Sequence, residues 1–537
     1  MVARVAQWFV KDLKSLGESK IPLRRLDLIT GPNSSGKSSF IQSILFATQS
    51  IARGVFLLNG PLVRFGSADD AIRDGASSME FGVSVPVGSD EKMPAKFQWS
   101  LKSGGDELLL SNLTASLPDE KVFEATDSYL SQATRAELID KFHGDGVLRI
   151  KTIAGSRAPA RSYIIFRGML PSWIVTPFNR DEFLQRLSRS VARRDRANDL
   201  RDYLAAYPEI FKNLGLRERP MHLRPWGILG DLESLDDVEY DETLEKIANR
   251  IAEQGWEPIN VSQTSFKPLS DGRLGRLDNV LIFLIFLSES MSDFASKVKY
   301  LGPLRDEPRV ISPSGSLSPA TPVGVRGEYA ADYLSSVKDR TISVANARGI
   351  ISDMTIGGAL AEWIRYLELG DEVRVLDQGK LGKGFVLKVG DSERDLTTIG
   401  VGASQILPVL LLVIAAEPGS LVLIEQPELH LHPAVQSRLA DFLLVARPDL
   451  RIVVETHSEY MVTRVRLRVA QKRIATDQIA LLFVEKRADS SVIKHLDFNS
   501  IGSLSEWPEG FFDSQEQDGA LILDAISKAI KRDGKRS

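Results

Sequence analysis

Three stretches in the first quarter of the chain alternate apolar and polar residues: Met79 to Val85, Ala95 to Leu101 and Glu107 to Leu113. Period-two alternation with turn formers between the runs predicts a small antiparallel sheet. A second pattern is the solid apolar run: Leu26-Asp27-Leu28-Ile29-Thr30, Ser420-Leu421-Val422-Leu423-Ile424 and Arg451-Ile452-Val453-Val454-Glu455. Runs of this length without alternation read as buried strands. Shorter strand signals stand at 147–150, 163–166, 297–301, 373–376 and 384–389. Helical spacing appears from about 126 to 142, over 181–206, 277–295, 329–337 and 357–369, and over the strongly apolar 406–416.

The run Val280-Leu281-Ile282-Phe283-Leu284-Ile285-Phe286-Leu287 is too short to span a bilayer and is expected to be a core helix. The first nine residues lack the apolar stretch of a signal peptide. No membrane association is therefore expected, and the cytoplasm is the expected compartment. With 537 residues the chain has room for several structural units. A net charge of -4 gives no global case for nucleic-acid binding. The arginines of the 181–206 helix (Arg186, Arg189, Arg193, Arg194, Arg196, Arg201) read as a solvated face or as a basic patch for DNA or a partner, with Asp195, Asp199 and Asp202 interleaved. The absence of cysteine excludes disulfides, thiol catalysis and zinc–cysteine centres.

Chemistry enters at Gly31-Pro32-Asn33-Ser34-Ser35-Gly36-Lys37-Ser38, between a strand and a helix. This is the G-x-x-x-x-G-K-[ST] pattern of a Walker A loop. Gly31 and Gly36 allow backbone N–H groups to curl around phosphate oxygens, with Asn33, Ser34, Ser35 and Ser39 in or beside the cradle. Lys37 suits the β- and γ-phosphates, and the Ser38 hydroxyl suits Mg²⁺. ATP and Mg²⁺ are the expected cofactors. A second glycine-rich turn, Gly400-Val401-Gly402-Ala403-Ser404-Gln405, precedes the apolar helix. The run 420–424 ends in Glu425-Gln426-Pro427-Glu428-Leu429-His430-Leu431-His432-Pro433, where a Walker B element would deliver a carboxylate to the metal. The next strand ends in Thr456-His457-Ser458.

In this order the motifs resemble the ABC-type P-loop ATPases of the SMC, RecF and OLD group. They also resemble a bacterial ATPase family carrying E-Q-P-E-L-H-L-H-P and E-T-H-S-E-Y together, with Tyr300-Leu301-Gly302-Pro303-Leu304-Arg305 and Trp507-Pro508-Glu509-Gly510-Phe511-Phe512 as further matching stretches. The fold class so implied is α/β, a P-loop NTPase head with an inserted α+β region. The head would take residues 1–115 and 296–496, the insertion 116–295 and an appendage 497–537. The resemblance makes Gly402, Ser404 and Gln405 the signature that closes over the nucleotide of a second subunit. It makes Glu425 the Walker B acid and Mg²⁺ ligand with Ser38, and His457 the switch histidine on the γ-phosphate. His432 falls in the D-loop region.

One departure stands out. The glutamate that polarises water in this group is replaced by Gln426. Loss of a general base costs ~10²–10⁴-fold, so either Glu428 serves instead or the protein turns over slowly as an ATP-gated scaffold. Residues 476–496 read as closing strands of the ATPase sheet rather than as the start of a nuclease domain. The implied function is a nucleotide-gated dimer that senses or regulates, in anti-phage defence or DNA surveillance, with a separate nuclease or toxin as effector. A self-contained OLD-like nuclease is the rival reading.

Overall fold

The computed structural model describes residues 5–87, 90–118, 120–154, 156–158, 161–189, 207, 237–261, 277–312, 318–398, 400–487, 489–508, 521–523 and 525. The chain divides into two units, Met1–Lys14 with Ser43–Ala295, and Ser15–Gln42 with Ser296–Ser537. Most of the arginine-rich stretch, from 190 to 206, lies outside the described residues, as do 509–512.

The first unit is built on an antiparallel sheet. Gln7–Lys11 pairs with Ser78–Val87, which pairs with Asp90–Ser103, then Leu108–Leu117 and Glu120–Thr126. The sheet continues through Gly146–Ile153, Tyr163–Arg167, Leu170–Pro177 and Trp256–Asn260. The three alternating runs are thus strands as expected, and the sheet passes residue 115 without a break. Alternation buries one set of side chains: Phe81, Phe97, Trp99, Leu113 and Phe123 are all at most 1% exposed. Trp99 satisfies its indole by donating to the Met169 carbonyl at 3.1 Å.

The helix Leu277–Lys297 is longer than its apolar run, because helical periodicity continues through Met291 and Phe294. Its stretch Asn279–Lys297 is long and apolar enough, by length and composition, to cross a membrane, which corrects the expectation drawn from eight residues alone. Val280, Leu284, Leu287 and Met291 recur at helical spacing and are fully buried. Phe283 and Phe286 lie 6.2 and 6.3 Å from the Phe97 ring, and Phe294 stacks on Trp8 at 5.5 Å. That stripe packs as a core helix.

The second unit holds a six-stranded sheet. Its order is Val298–Leu301, Leu421–Glu425, Arg451–Glu455, Leu26–Thr30, Ile479–Lys486 and Ser491–Leu496. The first five strands are parallel and the sixth closes the sheet antiparallel. The expectation for 476–496 therefore holds. Val298–Leu301, Leu421–Glu425 and Leu26–Thr30 are buried at every position, the signature of a sheet covered on both faces. Covering helices include Val401–Ala415 and Pro433–Val445, with Ile356–Tyr366 behind the first. Trp363 anchors this layer against Phe442 at 5.0 Å and donates to the Ala345 carbonyl at 3.1 Å.

The apolar helix starts at Val401, five residues earlier than expected. Gly400, read as part of a turn, is its N-cap, and Gly402 sits inside the first turn. Gly402 is there because of a close approach: a Cβ would lie 3.2 Å from the His430 carbonyl oxygen.

Candidate nucleotide-binding site

Five parallel strands present their carboxyl ends at one edge, which is where ligands bind in open α/β sheets. Three sequence motifs meet there. The loop after Leu26–Thr30 leads into the helix Lys37–Arg53. Gly31 and Gly36 have φ of 144° and 98°, conformations open to glycine, and Ser34 is left-handed at 59°. A Cβ at Gly31 would sit 2.5 Å from the Val484 carbonyl oxygen, so the loop is pressed against the neighbouring strand. Asn33 and Ser34 are exposed, whereas Ser35, Lys37 and Ser39 are buried. The Ser35 hydroxyl has no partner among the described atoms.

Lys37 donates its ammonium to two carbonyls of its own loop, Gly31 at 3.1 Å and Pro32 at 2.7 Å. Burial lowers its pKa, and the charge of Glu455 opposes that shift. The N–H groups of a loop of this shape, with this ammonium, are groups of the kind that bind phosphate oxygens.

The strand Arg451–Glu455 lies between the Walker A and Walker B strands. In its register Glu455 stands beside Ile29 on one side and Glu425 on the other. The Ser38 hydroxyl donates to the Glu455 carboxylate at 2.8 Å. Glu425 accepts from the Tyr300 hydroxyl at 2.6 Å and also shares hydrogen bonds with Ser38 and Glu455. Burial first, then the adjacent Glu455, raises the Glu425 carboxyl above its ordinary range.

A family model described as "AAA domain, putative AbiEii toxin, Type IV TA system" matches residues 335–463, the stretch that carries the glycine turn, the Walker B strand and the histidine strand. The parallel sheet order, with its glycine loop between Leu26–Thr30 and the helix Lys37–Arg53, gives the second unit a P-loop NTPase fold. A second model, a protein of unknown function designated DUF3696, matches residues 474–520. No curated protein matches the chain.

Solved SMC heads align along nearly the whole chain at low similarity. The head with an extended coiled coil bound to the C-terminal domain of ScpA, from Pyrococcus furiosus, is 14% identical with a TM-score of 0.35, covering 98% of this chain and 100% of its own. The SMC head from Thermotoga maritima is 12% identical with a TM-score of 0.35, covering 92% and 98%. Scores of that size carry no weight beside the sheet order and loop geometry.

The remaining motif residues of the second unit fall into two groups. His457 is exposed at the strand end; partial desolvation of its ring, then the charge of Lys37, lowers its pKa. A neutral imidazole beside a phosphate cradle can donate one hydrogen bond. The turn beneath it is fixed by Glu428, which accepts the His457 N–H at 2.6 Å. Glu428 is buried, and its other oxygen has no partner among the described atoms. Gln426 takes a left-handed φ of 45°, and its N–H donates to the Glu455 carbonyl at 2.7 Å, tying the two strand ends together.

The second group lies at the starts of the helices Val401–Ala415 and Pro433–Val445. Ser404 bonds back to the Val401 carbonyl at 2.7 Å, and Gly402 packs on His430 and Leu431. His432 serves as N-cap of the helix Pro433–Val445, its ring nitrogen accepting the Ala434 N–H at 3.3 Å.

Sequence reasoning passed over two members of the site. Glu455 was read only as a strand residue, and Tyr300 only as part of a matching stretch. Two strands ending in glutamate were a usable signal for the first. Arg305, from the same stretch as Tyr300, donates to the Glu425 main-chain carbonyl at 3.1 Å, and burial lowers its pKa to about 10. The residues present fit Mg–ATP. Ser38 and Glu425 are oxygen donors of the type Mg²⁺ takes, and Lys37 and the loop amides suit the phosphates.

Proposed function

We propose that the head binds ATP with Mg²⁺ and hydrolyses it slowly, as the nucleotide gate of a cytoplasmic dimer. The observation that carries this reading is the meeting of Lys37 and Ser38 with the strand-end acid Glu425 at one sheet edge. Lys37 would exchange its loop carbonyls for phosphate oxygens. Ser38 and Glu425 would hold Mg²⁺, which supplies charge neutralisation between the phosphates. His457 would touch the γ-phosphate. Gly402, Ser404 and Gln405 would face the nucleotide of the second copy.

Slow turnover follows from the acids at hand. Gln426 accepts no proton, and the Glu428 carboxylate is engaged by the His457 amide. A scaffold held closed by ATP and released by occasional hydrolysis fits these residues better than a fast motor. The toxin-system description of the matched family supports a place in bacterial defence, with a separate nuclease or toxin as effector. The closed sheet edge at Ser491–Leu496 favours that reading over a self-contained nuclease.

The test is titration of a fluorescent ATP analogue with Mg²⁺, alongside sizing with and without nucleotide. Saturable binding lost in Lys37→Ala, with a larger species under ATP, is expected. Equal binding by wild type and Lys37→Ala overturns the reading. DNA cleavage by the purified chain with Mg²⁺ alone would replace the effector proposal with the nuclease one.

A further inference from the structure

Two glutamates stand side by side at the carboxyl edge, in register on adjacent parallel strands and both at most 5% exposed. A buried carboxylate is held in place by charge pairing, by hydrogen bonds or by a cation. Lys37 and Arg305 act on the two carboxylates through charge, yet neither hydrogen-bonds to them among the described residues. Lys37 gives its ammonium to the Gly31 and Pro32 carbonyls, and Arg305 gives a guanidinium N–H to the main-chain oxygen of Glu425 rather than to its carboxylate. The two carboxyls hydrogen-bond to each other and to hydroxyls, Tyr300 on Glu425 and Ser38 on Glu455, with Ser38 also within reach of Glu425. Ser38 is the residue that the Walker A pattern assigns to the cation, and its hydroxyl points at the second glutamate.

We propose that Glu455 shares the divalent-cation seat with Ser38 and Glu425, so that two strand-end carboxylates act there rather than one. This deepens the nucleotide reading and rests on it. The register explains why both acids are needed at one spot. The Gln426 N–H binds the Glu455 carbonyl and the Thr456 N–H binds the Ile29 carbonyl, so the backbone at the end of Arg451–Glu455 is pinned on both sides with its acid facing Ser38. With Gln426 in the position that is acidic in the resembling ATPases, Glu455 restores a second negative charge to the edge. Hard oxygen ligands of this kind suit Mg²⁺ and Mn²⁺.

The test measures metal, not turnover. Mn²⁺ is titrated by electron paramagnetic resonance into wild type, Glu455→Gln, Glu425→Gln and Glu124→Gln, each saturated with a non-hydrolysable ATP analogue. Glu455→Gln is expected to weaken Mn²⁺ by at least about tenfold, as is Glu425→Gln, with Glu124→Gln within about twofold of wild type. Glu455→Asp, which keeps the charge, should fall between. Affinity for the fluorescent ATP analogue in EDTA should be unchanged or higher in Glu455→Gln. If Glu455 only braced Ser38, that metal-free affinity would fall and Mn²⁺ would not. Mn²⁺ affinity in Glu455→Gln within about twofold of wild type overturns the inference and leaves nucleotide binding standing. Failure of wild type to bind any nucleotide overturns both. Thermal melts of each variant without ligand confirm that folded protein is compared.

Discussion

In the sheet of the first unit, Glu80 and Glu124 stand at partly exposed positions and meet lysines: Lys11 at 3.6 Å from Glu80, and Lys121 at 2.7 Å and Lys151 at 3.4 Å from Glu124. In the sheet of the second, Asp27, Glu425 and Glu455 are buried and meet hydroxyls and main-chain amides instead. The antiparallel sheet has polar alternate positions to spend on charge, so its acids cost little. The parallel sheet is covered on both faces, and an acid inside it loses solvation that more distant cations repay only in part. Acids of the second kind persist where a ligand or a local turn uses them. That contrast separates the two units better than their fold classes do.

The sharpest break between the two settings is a charge removed from each. Lys37→Ala should abolish measurable nucleotide binding and lower any turnover by about 10²-fold or more. Lys121→Ala should leave both unchanged. A filter-binding assay on the two variants decides it. A nucleotide effect from Lys121 would mean that the first unit contributes to the site.

Asp27 gives the next largest effect. It is fully buried in Leu26–Thr30, one oxygen accepting the Arg24 N–H at 2.9 Å and the other without a partner among the described atoms. Burial raises its carboxyl to about 7. The folded state then keeps a proton that the unfolded chain releases near pH 4, so wild-type stability falls as pH rises from about 4 to 7. Asp27→Asn keeps an acceptor for Arg24 and removes the titration. Denaturant melts should find it more stable by roughly 3–4 kcal/mol at pH 8 and close to wild type near pH 4. An equal gain at both pH values would show that packing, not ionisation, is responsible.

Glu425→Gln is the same experiment at the functional edge, with a smaller gain because Tyr300 and Ser38 already donate to that carboxylate. The raised carboxyl destabilises the metal-free fold as pH climbs above the ordinary glutamate range. The variant should therefore melt higher than wild type at pH 8 in EDTA, with the difference shrinking toward pH 5. With Mg²⁺ and the ATP analogue the order should invert, since ligand binding stabilises only the protein that binds. A variant that stays the more stable of the two with ligand present would detach Glu425 from the metal.

How much of this was legible beforehand differs between the units for the same physical reason. Alternation made the first strands of the antiparallel sheet readable, and solid apolar runs made the parallel strands readable. The Walker A loop is contiguous in sequence, so Lys37 and Ser38 could be named from it. Glu455 lies 417 residues from the hydroxyl it accepts, and Tyr300 lies 125 from Glu425. Those pairs follow from strand order and register, which local pattern does not encode. The start of the apolar helix was misjudged because glycines at 400 and 402 look like a turn, although one caps the helix and the other relieves a contact with His430.

The smallest effect belongs to the paired acids of the antiparallel sheet. Glu124 takes hydrogen bonds from Lys121 and Lys151, and its pKa is lowered, first by the Lys121 hydrogen bond. A lowered carboxylate adds stability above its unfolded pKa and loses it as pH falls through the folded value. Both lysines are nearly half exposed, so water and salt screen most of the attraction. Glu124→Gln should therefore cost less than about 1 kcal/mol at pH 7, still less in 1 M salt, and nothing below pH 3. Urea melts across those conditions measure it. A gain at pH 7 in place of a loss would place Glu124 with Asp27 and Glu425 among acids that burial makes costly, and the contrast between the two sheets would fail.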